Sequence, residues 1–397
     1  MQPVNASLEA PRASLLDLAR FFLRLSGTAF GGPIGHMAIM EQEIVRRRKW
    51  LTHDHFLDLI AAANLIPGPS STETVIHIGY SQQKIAGAIV AGTCFILPSF
   101  LITLMVSILY VNYGGLPLAQ ALLWGIQPVV VAIIAVAAYR LAKSALKTRT
   151  LIIVCVLSLI AIGPLHVPGI FVMLGAGVAH VLAKRLHLGS GVGMLAVFGL
   201  GSIPRIPMLA AATVSLWDVF FYFFKIGSVL YGSGYVLVAY LQQDVVNTLG
   251  WLTPRQLLDA IAIGQVTPGP LFSSAAVVGS VVAGVPGAIT ATIAIFLPAF
   301  ILVILTAPLV PKMRTNKILS IFLAGVNAGV IALIVWTMLG LTQAAIYTPD
   351  GQSLSPLAIG WGLVCVLLFV RTRISPTWLI LIGGVIGVAQ SLLMVTH

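Results

Sequence analysis

Charge is what this 397-residue chain has least of: Asp, Glu, Lys and Arg together make up 8% of it, against about 25% in an ordinary soluble domain. Cysteine is almost as scarce. The three present, Cys94, Cys155 and Cys365, lie far apart in apolar runs, which excludes a disulfide framework and a Cys-based metal site. No HExxH, GxSxG, P-loop or dinucleotide-binding glycine pattern occurs, so the chain is not expected to be an enzyme and no cofactor is expected. His53-Asp54-His55 lacks the further ligands a metal site needs. The first twenty residues lack the basic-then-apolar pattern of a cleaved secretory signal, so targeting is expected to fall to the first membrane segment. What is abundant is apolar: 58% of residues, with a mean hydropathy of +1.02. A soluble fold of this size cannot hide that much apolar surface. The composition therefore specifies an all-α polytopic membrane protein in a lipid bilayer. The net charge of +11 then reads as Lys and Arg gathered in cytoplasmic loops rather than as affinity for nucleic acid.

Apolar windows long enough to span occur at 87–110, 118–139, 285–310 and 319–341. Two tight pairs follow, 151–162 with 170–182 and 356–370 with 378–394; the first pair is short for full spans. Two further stretches are apolar but broken. Residues 21–40 contain Gly31-Gly32-Pro33, and residues 56–80 contain Pro67-Gly68-Pro69.

The broken stretches recur. Trp50-Leu51-Thr52, Asp58 and Pro67-Gly68-Pro69 reappear 201 residues later as Trp251-Leu252-Thr253, Asp259 and Pro268-Gly269-Pro270, with 10 identities in 20 positions. Arg24 pairs with Lys225 and Phe30 with Tyr231. Downstream, the run from Phe95 to Phe100 matches that from Ile295 to Phe300. The chain thus reads as a tail (1–14), a first transporter repeat (15–187), a connector (188–215) and a second repeat (216–397). Basic loops alternate between the copies. Arg46 to Lys49, the cluster Arg140, Lys143, Lys147 and Arg149, and Lys184-Arg185 belong to the first. In the second they fall at Lys312, Arg314 and Lys317 and at Arg371 and Arg373, in the loops that are neutral in the first. By the positive-inside rule the repeats cross the membrane in opposite senses, the inverted plan of many secondary transporters. Whether residues 21–40 span or re-enter stays open. If they re-enter, residues 191–214 of the connector must cross.

Proline and glycine in mid-membrane break a helix, and irregular backbone there is tolerated only beside protein or a watery cavity. The helices restarting after each break, at Ser70, Ser71 and Thr72 and at Ser273 and Ser274, present free N–H groups and hydroxyls. Paired around one point, with Gly68 and Gly269 at the breaks set by Pro67, Pro69, Pro268 and Pro270, they suit an anion. A pair of merely kinked structural helices is the other reading. Arg24 and Lys225 are intramembrane cations available to the same anion, or they snorkel to the interface. Asp58 and Asp259 are candidates for pairing with them or for carrying protons. Glu73 reads as the far end of a Ser70-x-x-Glu73 capping box, or as a proton carrier lacking a counterpart, since Ser274 stands in its place. His36 also lacks one.

With these residues the chain resembles the chromate ion transporter family in its long, two-domain form. The resemblance rests on Phe30-Gly31-Gly32-Pro33, His36, Glu41 to Glu43, Trp50, Phe56, Asp58 and Pro67-Gly68-Pro69. The second copy supplies Gly232, Gly234, Trp251, Asp259 and Pro268-Gly269-Pro270; it has Gln242 where Glu41 stands. The resemblance implies a transporter in the bacterial inner membrane that exports chromate and confers resistance, with membrane potential and proton coupling as candidate drives and a homodimer as a candidate assembly. Transport of another oxyanion such as sulfate, or flipping of a lipid phosphate, are the alternatives. An enclosed cavity lined by Ser70, Thr72 and Ser273 would favour a small anion, and a groove open to lipid would favour the flippase.

Overall fold

The computed structural model describes residues 12–29, 32–185, 214–231, 234–309, 317–347, 353–372 and 374–395. Most of the proposed connector lies outside these. Apart from one isolated bridge between Tyr347 and Leu354, the described chain is helix and turn. Five helices among the described residues are long and apolar enough to cross a membrane. The chain is an all-α, multi-pass membrane protein.

The first half opens with α1 (Leu15–Thr28), started by a capping box between Ser14 and Asp17. It continues with α2 (Gly32–Met40), which runs into a π-helical turn at Glu41–Arg47, then α3 (His53–Ala63), capped by Thr52. At 14 residues, α1 reaches about 21 Å, short of a hydrocarbon core of about 30 Å. After the Pro-Gly-Pro break comes α4 (Ser70–Tyr113), which is two arms rather than one rod. Gln83 and Lys84 leave helical geometry, with Lys84 at φ 51°. The arms fold back so closely that the backbones of Gly79 and Gly87 touch. Three membrane-length or shorter helices complete the half: α5 (Pro117–Ala145), α6 (Arg149–Ile162) and α7 (Gly169–Arg185).

One set of hydrogen bonds bears on how α1 and α2 run. Gln82 accepts from the Ala13 N–H at 3.0 Å and donates to the Trp50 carbonyl at 3.2 Å, while Gln83 donates to the Ala13 carbonyl at 2.8 Å. The chain therefore leaves one level at Ala13 and is back at that level by Trp50. α1 and the stretch from α2 through the π-helical turn thus start and end at one level, as the two limbs of a hairpin do. By the same bonds α3 rises from that level and the first arm of α4 returns to it, so the Pro-Gly-Pro break is the tip of a second hairpin.

The second half repeats this series: α8 (Leu216–Val229), α9 (Tyr235–Tyr240) with a π-helical turn (Leu241–Val246), α10 (Pro254–Val266), a 3-10 turn (Leu271–Ser273), α11 (Ser274–Thr306), α12 (Lys317–Ile346), α13 (Pro356–Arg371) and α14 (Pro376–Val395). The likeness extends to backbone shape where side chains differ. Left-handed positions recur as Lys49 with Gly250, Gly68 with Gly269, and Lys84 with Gly284. A capping box joins Ser215 to Asp218 as Ser14 to Asp17, and Tyr222 stacks edge-on to Trp251 as Phe21 does to Trp50.

The halves interlock. α4 packs along α11 through the middle; α5 lies between α13 and α14, and α12 lies against α6 and α7. Small residues allow these approaches: the Gly125 backbone meets Gly383 and Gly387, and Gly325 meets Ala176 and Gly177. Outside this core, Leu97, Leu101, Met105, Ile108 and Leu109 stand exposed along the second arm of α4. Such an apolar face suits lipid and no aqueous surface.

Candidate functional site at the paired helix breaks

Each Pro-Gly-Pro tip is tied to the other half. Gly68, at φ 140°, donates its N–H to the Leu230 carbonyl at 2.6 Å, and Gly269, at φ 101°, donates to the Ala29 carbonyl at 3.4 Å. Leu230 and Ala29 are equivalent residues, the C-caps of α8 and α1. The flanking prolines offer no N–H, so the glycine N–H groups are the donors these tips can use for the tie. At such φ values a side chain is strained. A Cβ on Gly269 would also meet Ser99 Cβ at 2.6 Å, and one on Gly68 would strike Glu73 Oε1.

Between the tips lies a cavity of about 520 Å³. One wall is Pro69, Ser70 and Ser71; the other is Gly269, Pro270 and Leu271. Asn64 and Gln265, again equivalent by 201 residues, add an amide from each half, and Tyr235, Asn327 and Arg140 are among the other polar lining residues. α4 starts at Pro69 without a side-chain cap, so the N–H groups of its first turn are not spent on one. Gln265 Nε2 is buried without a partner. Arg140 holds the Phe369 carbonyl through Nη2 at 2.9 Å. The start of α4, the Gln265 side chain and Arg140 thus border one space, and an uncapped helix N-terminus with a guanidinium nearby is chemistry that can receive an anion.

The two helix starts differ. In the second half the Ser273 and Ser274 hydroxyls donate to the Pro270 and Leu271 carbonyls, and neither serine lines the cavity. Thr72 is fully buried behind Ser71, its hydroxyl unpartnered. Of the three residues expected to line an enclosed site, only Ser70 does so. Glu73 corrects the capping-box reading: the N-cap is Pro69, and the Glu73 side chain reaches no backbone N–H. It is fully buried with both carboxylate oxygens unpartnered.

The expected cations stand elsewhere. Arg24 is exposed on the outer face of α1. Lys225 is exposed too, 3.4 Å from Asp244 and over the Tyr222 ring. Pairing of Lys225 with Asp259 gives way to this nearer acid. Asp259, buried, instead accepts from the Tyr110 hydroxyl and from Gln127 Nε2, both at 3.0 Å. Asp58 is half-buried on α3. Glu41 pairs with Arg46 at 3.1 Å and lies 3.6 Å from His53, at the level of the Trp50 loop. His36 is fully buried, edge-on to Phe95, with neither ring nitrogen partnered. Among the described residues no three His, Cys, Asp or Glu side chains gather as a metal site would need. The cation at the cavity, Arg140, was grouped with the basic loop in the sequence. Asn64 and Gln265 carried a readable signal, an amide three residues before each Pro-Gly-Pro.

Comparison with known proteins bears on this arrangement. No solved structure matches the chain. A probable chromate transport protein of Synechococcus elongatus is 31% identical over 341 residues, 85% of this chain and 87% of that one. The chromate transport protein of Cupriavidus metallidurans is 32% identical over 347 residues, 85% of each. An uncharacterized transporter of Bacillus subtilis, YwrA, is 26% identical over 132 residues, covering 33% of this chain and 73% of its own. The family described as chromate transporter matches twice, at residues 16–181 and 217–388, which are close to the two copies read from the internal duplication. The chain belongs to the chromate transporter family.

Proposed function

We propose that the protein is a secondary transporter of the bacterial inner membrane that carries chromate out of the cytoplasm and so confers resistance to it. The observation that carries this reading is the cavity between the two helix breaks, bordered by the uncapped start of α4 and by Arg140. A tetrahedral oxyanion offers acceptors in every direction and fits such a site without a cofactor.

Direction follows from charge. In the inverted-repeat reading, Arg46 to Lys49, Lys84, and Lys143 to Arg149 face the cytoplasm. Leu141, Ser144, Ala145 and Thr377 line the cavity, and they lead toward Lys147 and Arg371. The cavity then opens inward. On its far side the triad of Tyr110, Asp259 and Gln127 closes α4, α10 and α5 against one another. An inward-open site loads from the cytoplasm. Moving a dianion outward with the interior negative gains about 2 × 2.3 kcal/mol per 100 mV, which suffices to drive export. Sulfate has the same shape and charge and is the runner-up cargo. A lipid-phosphate flippase fits less well, because residues of both halves wall the cavity.

Inverted vesicles with an imposed potential, inside positive, test the reading. Chromate accumulation that exceeds that of equimolar sulfate is expected. Absent uptake refutes transport in this direction, and uptake of sulfate equal to that of chromate refutes the chromate assignment.

A further inference from the structure

Among the described residues, Glu73 is the buried acid that neither the fold nor the anion site accounts for. Its side chain is fully buried, and neither carboxylate oxygen has a hydrogen-bond partner. It sits on the first turn of α4, directly behind Pro69, Ser70 and Ser71, which line the cavity. Oε1 packs against the α-carbon of Gly68. An ionised carboxylate in such a place is costly without a cation or several donors.

The surroundings supply neither. One turn further along α4, His77 is itself buried with Nε2 unpartnered. Tyr231 lies within electrostatic range from the other half. α2 brings His36, which faces Phe95, and α3 brings the half-buried Asp58. On α1, Arg20 and Arg24 are exposed on the outer face. α11 has no titratable side chain at all. Across the cavity, the acid of α10, Asp259, is spent on Tyr110 and Gln127. Among the described residues the one cation lining the cavity is Arg140, which is bound to Phe369.

We propose that Glu73 binds a proton together with the transported anion, so that one proton and one oxyanion occupy the site and cross as a pair. This rests on the transport reading above. A dianion lodged beyond Ser70 and an ionised Glu73 would repel each other at close range. Each is therefore relieved when the carboxyl is protonated, and by reciprocity a protonated Glu73 strengthens anion binding. In the second half the equivalent position is Ser274, whose hydroxyl is satisfied by Leu271, so the stoichiometry is one proton per anion. Charge balances as a dianion plus one proton, moving a single net negative charge per cycle.

The test uses the full-length protein in inverted vesicles carrying a lumenal pH indicator, at mildly alkaline pH so that chromate itself stays unprotonated. During voltage-driven chromate uptake the lumen should acidify in step with accumulation. At zero voltage, a cytoplasmic face one pH unit more acid than the lumen should concentrate chromate about tenfold. E73Q should lose the acidification. Wild-type uptake under voltage without lumenal acidification, or with alkalinisation, overturns the proposal while leaving export intact. So does a pH-gradient response in E73Q equal to that of wild type. Absent uptake under voltage in wild type overturns both the export reading and this one. If E73Q fails to insert, the wild-type acidification decides alone.

Discussion

The two Pro-Gly-Pro tips have nearly the same backbone and different chemistry beneath it. Each has a left-handed glycine, and each glycine N–H reaches the C-cap carbonyl of the opposite half's first helix. Under Gly68 lies an unpartnered carboxyl, Glu73. Under Gly269 lie Ser99 and Ser26, and the hydroxyls that follow it are bonded to their own turn. The difference extends outward: Arg140 on α5 lines the cavity, whereas the equivalent position on α12 is Gly340. Both halves carry the break, and they differ in the groups that lie beneath it. The transporter is thus symmetric in scaffold and one-sided in chemistry.

Arg140→Gln should break that one-sidedness most. A hydrogen bond to a charged group is worth about 1.5–3 kcal/mol, so chromate uptake at limiting concentration should fall roughly 10- to 100-fold. Placing a guanidinium at Gly340 should not restore it. Uptake within twofold of wild type in Arg140→Gln would remove the guanidinium from the site.

Next come the tips themselves. Gly269→Ala and Gly68→Ala both force an L residue into positive φ, costing about 1–2 kcal/mol. They differ in what the new methyl meets. At Gly269 it meets Ser99 Cβ at 2.6 Å, on a rigid helix arm, whereas at Gly68 it meets the end of a flexible glutamate. Gly269→Ala should therefore lower the unfolding midpoint in detergent more than Gly68→Ala. Gly68→Ala should in addition alter the pH dependence of uptake by displacing Glu73. Equal destabilisation by the two would show that the packing under the tips does not differ as described. Smaller still is Lys225→Ala. Its ion pair with Asp244 is more than half exposed on the lysine side, at 55%. Such pairs are worth about 0–1 kcal/mol, so uptake should change less than about fivefold. A loss as large as that of Arg140→Gln would put the anion in the second half as well.

The scaffold was legible in the sequence where residue type dictates backbone. Pro-Gly-Pro in an apolar run permits few shapes, and its repetition at a fixed offset exposed the duplication. The same offset pairs Asn64 with Gln265. The site's cation was not legible. Arg140 stands among basic loop residues, and what makes it part of a cavity is Phe369, 229 residues away, placed by the interlocking of α5 with α13. Lys225 misled for the converse reason. Flanked by aromatic residues it reads as buried, but α8, at 14 residues, is about two-thirds the length of a span and the lysine lies on its exposed face. The capping box at Ser70 failed because the proline before it already set the helix start.

A further prediction separates backbone from chemistry in the comparison. Lys84 and Gly284 occupy the same kink of the two hairpins at φ 51° and 64°, and a Cβ at Gly284 would meet nothing closer than Pro286 Cδ at 3.9 Å. With packing removed from the balance, only the conformational cost of a left-handed L residue remains, about 1–2 kcal/mol. Gly284→Ala should lower unfolding stability by about that amount. Lys84→Gly should raise it by less, because the lysine ammonium sits 5.6 Å from the Tyr80 ring centroid, and an exposed cation–π contact offsets about 0.5–1 kcal/mol. Paired unfolding midpoints for the two variants measure the difference. Equal and opposite shifts would mean that the Tyr80 contact contributes nothing. A stabilising Gly284→Ala would mean that the two kinks do not share a shape, and the scaffold symmetry would end at the helix breaks.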